Sequence, residues 1–237
     1  MSRRWLLALG FALWTTIVHE VEASLQGGAD EIAQLLHAAL DRALGDNAYE
    51  LYTYPPSRND PPGYFPLVEL TVQDVKVGDM PLAYVQITLR KLQLDLDSLH
   101  KGKLAFRKGA VDRLEAVLTE RDLTNVLKKQ RFAKKVTDLR VKCSKDTVSL
   151  TGRTPVGFIS PEAKVSGGFE IVDDGRMLVF VPDEVSLAGF SGGAAAADKV
   201  MNKLNPLVDL AEIARKFHLD VRLRDVQVRD GEIRVRG

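Results

Sequence analysis

The chain has 237 residues, with 33 Lys and Arg against 32 Asp and Glu, so its formal net charge at pH 7 is +1. Strong binding to nucleic acid needs many neutralised phosphates, and we therefore expect no nucleic-acid partner. The single cysteine, Cys143, excludes an intramolecular disulfide. We expect it to be a small apolar core residue on a strand.

The first residues have the pattern of a secretory signal peptide. Arg3 and Arg4 precede an apolar run over residues 5–18, and residues 21–23 offer small side chains for cleavage. The run is shorter than the about 20 apolar residues that a membrane-spanning helix needs. We therefore predict a signal peptide over residues 1–23 and an exported protein, located in the periplasm, in the cell envelope or outside the cell. An uncleaved anchor is the alternative.

Residues 24–66 combine a helical pattern with a proline-rich segment. Apolar residues recur at three- and four-residue spacing over residues 29–44, and Gly45 follows, which predicts an amphipathic helix. Five prolines then lie within residues 54–66. Such a density of proline predicts a loop or an extended arm.

Beyond this arm the apolar period changes from 3.6 to 2, which indicates strands. The alternation slips by one residue between Val72 and Val75, and again between Leu89 and Leu92, in a strand that we expect to reach Leu96. Slips of this kind predict bulges or bends, which a strongly curved antiparallel sheet needs.

Thr119 is placed to cap a helix at the end of a further strand. Acidic residues follow in the first turn, where they suit the helix dipole. We expect the remaining strands at residues 136–143, 147–151, 165–172, 177–181, 185–187, 221–228 and 233–235, and another helix at residues 194–204. Arginines alternate with apolar residues near the C-terminus, so they are expected to point outward.

Strands do not alternate regularly with helices, so a parallel doubly wound sheet is not expected. The pattern predicts one α+β domain over residues 67–237, with a long curved antiparallel β-sheet wrapped around helices.

One motif could indicate catalysis. Residues 189–193 match the Gly-x-Ser-x-Gly nucleophile elbow, so a serine hydrolase using Ser191 is an alternative function. The strands before it are antiparallel, however, and a glycine-rich oxyanion loop is missing. We expect a sharp turn there, no catalytic residue and no enzyme.

Asp95 and Asp97 could share a strand face as metal ligands, but no third ligand lies near them in the sequence. No metal site and no cofactor are predicted.

The predicted binding residues are apolar side chains of the helix that follows Thr119, phenylalanines along the rest of the chain, and the basic run at the end of that helix. The basic run could contact anionic headgroups, or it could be a solvated helix end. A curved aliphatic sheet must be covered by its own helices or by acyl chains. The tentative lipid-binding residues are Leu123, Val126, Leu127, Phe132, Phe169, Phe180, Phe190 and Phe217, and the tentative headgroup residues are Lys128, Lys129, Arg131, Lys134 and Lys135.

Four segments resemble the LmeA-like phospholipid-binding family of exported bacterial envelope proteins. They are residues 82–96, residues 116–124 with the T-x-x-D-L step at a strand-to-helix junction, residues 148–152 and residues 226–235. The resemblance implies a fold similar to tubular lipid-binding domains and non-catalytic binding of phospholipid, or of another apolar ligand, in the cell envelope. The partner would be phospholipid or a membrane surface, and protein partners are left open. A structural or interaction protein of the envelope, without a lipid slot, is the other alternative.

Overall fold

The computed structural model describes residues 30–77, 80–129, 136–153, 160–187, 205, 208–210 and 219–237. The predicted signal peptide (1–23), the predicted helix at residues 194–204 and the Ser191 turn lie outside the described residues.

Residues 30–44 form helix α1, as the helical period predicted. The strands are β1 (Tyr49–Thr53), β2 (Tyr64–Val77), β3 (Met80–Leu94), β4 (Phe106–Thr119), β5 (Thr137–Ser144), β6 (Thr147–Arg153), β7 (Glu162–Val172), β8 (Met177–Leu187), β9 (Val208–Asp209), β10 (Asp225–Arg229) and β11 (Glu232–Arg236). Two further helices are α2 (Leu96–His100) and α3 (Glu120–Lys129).

The strands form two antiparallel sheets. The first has six strands in the order β1-β2-β3-β4-β11-β10, and the second has five in the order β5-β6-β7-β8-β9. One sheet is a strongly curled half-barrel. The predicted α+β class with long curved antiparallel strands is therefore confirmed.

Both predicted slips are real irregularities of the long β2–β3 hairpin. Asp74 and Lys91 have positive φ angles, each of 50°. The register passes from Gln73 directly to Val75, so Asp74 is skipped. A non-glycine residue in this left-handed region reverses the side-chain alternation locally and bends the strand.

The proline-rich segment was predicted to be a loop or an extended arm without regular structure up to Pro66, and its last residues differ. Strand β2 begins at Tyr64 and therefore contains Pro66. Pro66 is absent from the paired register, which joins Phe65 to Leu92 and Leu67 to Arg90. Pro66 lies at a gap in the pairing with β3, opposite Lys91, so its missing N–H costs no ladder hydrogen bond there.

Leu96 was predicted to belong to a strand, but it begins helix α2. Asp95 precedes the helix, and its carboxylate accepts a hydrogen bond of 2.7 Å from the Ser98 hydroxyl. Its main-chain carbonyl accepts one of 2.9 Å from Leu99 N–H. These short-range contacts favour a helical turn over the alternating leucine pattern.

Two expected strands also differ. Residues 185–187 were expected to form a separate strand, but they continue β8. The strand runs on past Pro182 because the pairing with β7 shifts register there, between Ser166 and Gly167. Residues 221–224 form no strand. Their N–H groups bind separate elements instead: Leu223 donates to Gly175 at 2.7 Å and Arg224 to Arg236 at 2.7 Å.

One apolar core joins the two sheets. The expected boundary at residue 67 lies within β2, and Leu36 and Leu40 of α1 belong to the same core cluster. Two main-chain hydrogen bonds connect the hairpin tips, from Asp146 to Val228 and from Gly231 to Cys143, each 3.2 Å long. The most completely buried side chains are Leu92, Leu94, Leu99, Leu118, Leu178, Ile233 and Val148.

Cys143 is a core residue, as predicted, with 2% of its surface exposed on β5. Burial, and then the nearby charge of Glu120, raise the pKa of its thiol to about 12. The thiol is therefore protonated and shielded at neutral pH, which disfavours reactivity.

Thr119 caps α3, as predicted, through a reciprocal pair of contacts. The Asp122 carboxylate accepts from the Thr119 hydroxyl at 2.6 Å and from its N–H at 3.2 Å, while the Thr119 oxygen accepts from Asp122 N–H at 3.2 Å. This is a capping box with aspartate at the third helical position.

Asp122→Ala should lower the free energy of unfolding by about 1–2 kcal/mol, because the buried carboxylate accepts two hydrogen bonds from the N-cap residue Thr119. Urea denaturation followed by circular dichroism measures the change. Asn125→Ala, at an exposed position of the same helix, is the control and should change stability by less than about 0.5 kcal/mol. Equal effects of the two substitutions would contradict the capping role.

Tyr49 connects β1 to α1. Its hydroxyl donates to the Asp41 carboxylate at 2.6 Å and lies 3.2 Å from His37 Nδ1. Burial, followed by the hydrogen bond and the charge of Asp41, raises the pKa of Tyr49 from 10.0 to about 12.

Because the folded state favours the neutral phenol, this contact should stabilise the protein below pH 10 and lose its effect as the pH rises towards 12. Tyr49→Phe should be less stable than the parent at pH 8 by about 1 kcal/mol. The difference should shrink between pH 10 and 12 in matched urea titrations. A difference that stays constant over this range would contradict the assignment.

Candidate functional site

A continuous aliphatic strip crosses four strands of the six-stranded sheet. Leu51 lies opposite Leu70, Leu70 opposite Ile87, and Ile87 opposite Leu114. Directly paired residues point to the same face of a sheet. We call these four residues the aliphatic row; at the usual strand spacing it is about 14 Å long.

The aliphatic row is only partly covered. All four side chains are half-buried and pack against the core with one side. In the neighbouring register row, Val85 and Ala116 are half-buried too, whereas Val72 and Val235 are buried. Apolar side chains that form a contiguous, partly accessible surface are a common feature of ligand-binding and interaction sites.

A second apolar feature lies between α3 and the five-stranded sheet. It is a cavity of about 20 Å³, lined by Leu123, Leu127, Val141, Val148, Leu150, Phe169 and Phe180. The two phenylalanine rings pack edge to face, with centroids 5.5 Å apart. Ligand pockets usually measure about 300–1,000 Å³, whereas this space suffices for about one water molecule. In this arrangement the cavity is a small packing gap in the core and not a ligand pocket.

The structure brings together four of the eight predicted lipid-binding residues, Leu123, Leu127, Phe169 and Phe180, around this cavity. Val126 is buried on α3 but is not among the lining residues. Phe132, Phe190 and Phe217 lie outside the described residues. Contact of these side chains with lipid stays a prediction.

The predicted headgroup residues are divided in the same way. Lys128 and Lys129 are exposed in the last turn of α3, where cations suit the helix dipole. Arg131, Lys134 and Lys135 lie outside the described residues. The headgroup role also stays a prediction.

The opposite face of the six-stranded sheet carries a charged cluster around Glu115, which is 7% exposed. Its carboxylate meets Arg234 Nη1 at 3.0 Å and Arg113 Nη2 at 3.2 Å. The C-terminal arginines were all expected to point outward. Arg222, Arg224 and Arg229 are exposed, but Arg234 and Arg236 are half-buried because they pair with this carboxylate.

A cavity of about 400 Å³ lies beside this cluster, lined by Ala83, Tyr84, Glu115, Val117, Thr119, Glu232 and Arg234. Both of its carboxylates already bind Arg234, with Glu232 Oε1 at 3.1 Å from Nη2. Arg113 and Arg236 also meet Glu115, so arginine side chains compensate both carboxylates.

Asp95 and Asp97 both lie near Arg107, whose Nη2 is 3.0 Å and 3.5 Å from their carboxylates. The Ser98 hydrogen bond, followed by Arg107, lowers the pKa of Asp95. Within the described ranges, no group of three or more His, Cys, Asp and Glu side chains could hold a metal ion. Ser191 is outside these ranges, so the hydrolase alternative stays a hypothesis.

The sequence interpretation missed β1 and with it the first member of the aliphatic row. Tyr49, Leu51 and Thr53 alternate with exposed residues, which is the usual signal of a half-buried strand. With only five residues, between polar and proline-rich segments, the apolar period alone could not identify a strand here. The strand is defined by its pairing with β2.

Of the helices in the described part of the chain, none has both the length and the apolar character of a membrane span.

Comparison with known proteins identifies one family. The model of a family described as LmeA-like phospholipid-binding matches residues 62–237, which include β2 to β11. No curated protein and no solved structure matches the chain. The match confirms the resemblance carried by the four sequence segments.

Proposed function

This chain belongs to the LmeA-like phospholipid-binding family, and we propose that it holds the acyl chains of a phospholipid against the aliphatic row. The family supports lipid as the class of ligand. The further elements of the proposal are the place of binding, a non-catalytic role and a location in the cell envelope. The N-terminal pattern of residues 1–23 supports export.

The observation that carries the proposal is the partial exposure of Leu51, Leu70, Ile87 and Leu114 in one register row. Covering apolar surface is favourable by about 25 cal/mol per Å², or about 0.8 kcal/mol for each buried methylene. An acyl chain lying across four strands would remove this surface from water along the length of the row. The cavity beneath α3, at about 20 Å³, is too small for the same purpose without movement of α3.

A second candidate is an envelope protein that interacts with other proteins and holds no lipid. The close packing of α3 against Phe169 and Phe180 favours it, because that part of the interior is already filled. In that case the aliphatic row would be covered by a protein partner.

Binding of a phospholipid with a pyrene-labelled acyl chain to delipidated protein tests the proposal. We expect saturable fluorescence, reversed by unlabelled phospholipid but not by the corresponding deacylated glycerophosphodiester. The two competitors share a headgroup, so the difference isolates the acyl chains. Failure to bind the labelled lipid would refute the proposal and favour the second candidate. Displacement by the deacylated compound would move the site from the aliphatic row to a polar surface.

A further inference from the structure

Two large hydrophobic side chains of the described residues are strongly exposed, Tyr52 and Tyr54, at 61% and 52%. They lie at the edge of the six-stranded sheet, on β1 and directly after it. Tyr54 continues the strand pairing, since its N–H donates to the Leu67 carbonyl at 3.0 Å. Their two-residue spacing places both on the same side of the strand. We call this pair the tyrosine edge.

The tyrosine edge adjoins the end of the aliphatic row. Leu51, the first residue of the row, immediately precedes Tyr52 and points to the other face of β1. Because β1 is the outermost strand, the row ends at this edge. The edge strand therefore presents tyrosine on one side and the start of an apolar strip on the other.

The charged residues of β1, and those of β2 that pair directly with it, are acidic. Glu50 is exposed on the same side of β1, and Glu69 lies opposite Tyr52 in the register. A surface of this kind has no electrostatic attraction for anionic lipids. Tyrosine, with an apolar ring and a polar hydroxyl, is favoured at the interface between headgroups and acyl chains regardless of lipid charge.

We propose that the tyrosine edge docks the protein onto the interfacial region of a lipid bilayer and brings the open end of the aliphatic row to the membrane. This inference rests on the proposed function, because docking at this edge serves lipid binding only if the aliphatic row holds acyl chains. Docking is driven by aromatic burial, and it is separate from any contact of Lys128 and Lys129 with anionic headgroups.

Flotation of the purified protein with phosphatidylcholine vesicles, at low and at high salt, tests the inference. The parent protein should float at both salt concentrations. Tyr52→Ser/Tyr54→Ser should bind about tenfold more weakly, since it removes two interfacial rings. Tyr52→Trp/Tyr54→Trp should retain binding. Lys142→Gln/Lys145→Gln, at exposed positions on β5 and in the turn after it, is the control that should behave as the parent. Equal flotation of the serine variant and the parent, or binding abolished by high salt, would overturn the inference.

Two further readouts separate this inference from its premise. The serine variant should bind monomeric short-chain phosphatidylcholine as the parent does, because the aliphatic row is intact. If the parent itself does not bind this monomer, the proposed function fails rather than the docking surface. If the parent ignores vesicles but self-associates in a way that the serine substitutions abolish, the edge is an interface with a second copy of this chain, and the membrane inference is wrong.

Discussion

Ile233→Ala should lower the free energy of unfolding by about 3–4 kcal/mol, within the range of about 2–5 kcal/mol for truncating a buried aliphatic side chain. Ile233 has 0% of its surface exposed. It lies in β11 between Leu118 of β4 and Val228 of β10, both of which are buried. The surrounding sheet cannot collapse onto the lost volume, because strands pair on both sides.

Urea denaturation with circular dichroism measures this change. Val226→Ala, at a half-buried position of β10, is the matched control and should cost about 1 kcal/mol. A loss below about 1 kcal/mol for Ile233→Ala would show that the core is not packed around β11 as described.

Ile87→Glu should weaken phospholipid binding by about 30-fold or more. Ile87 is in the middle of the aliphatic row, between Leu70 and Leu114. A carboxylate there would have to lose its water when an acyl chain covers the strip, at a cost of about 2 kcal/mol or more. The protein should stay folded, because the side chain is half-buried and its outer part reaches solvent.

Gln73→Glu provides the control for this substitution. Gln73 is exposed on β2, and it faces the opposite side of the sheet with Tyr84. The Gln73→Glu substitution adds the same charge without touching the aliphatic row. The variant's dissociation constant for the pyrene-labelled lipid should therefore match that of the parent. Equal affinities of the Ile87 variant and the parent would place the acyl chains elsewhere.

The alternation of apolar residues was sufficient to predict the long antiparallel strands and both bends. Its phase slips correspond to Asp74 and Lys91, whose left-handed backbone reverses the alternation. The cap at Thr119 was also predictable, because it depends on residues three apart in the sequence. These features are local, so the amino-acid order alone contains them.

Other features depend on partners that are distant in the sequence. Strand β1 exists through its pairing with β2, and Pro66 is tolerated in β2 because it lies at a gap in the pairing with β3. The half-burial of Arg234 follows from Glu115, which is 119 positions away. Periodicity could not reveal these contacts.

The candidate site shows the same division. Periodicity placed Leu123 and Leu127 on the buried side of α3, and the structure brings them to Phe169 and Phe180. The size of the space between them depends on side-chain packing across α3, β5, β6, β7 and β8, which the sequence could not supply. The aliphatic row was missed because its first member belongs to the missed strand β1.

The proposed function requires that this protein carries phospholipid on an apolar surface. Its most direct test is mass spectrometry of the organic extract from protein expressed with its own N-terminal segment and purified without detergent. We expect phospholipid in stoichiometric amounts, and a much smaller amount in Ile87→Glu purified in parallel. Folded protein that yields no lipid, and that takes up none when mixed with phospholipid vesicles, would contradict the claim.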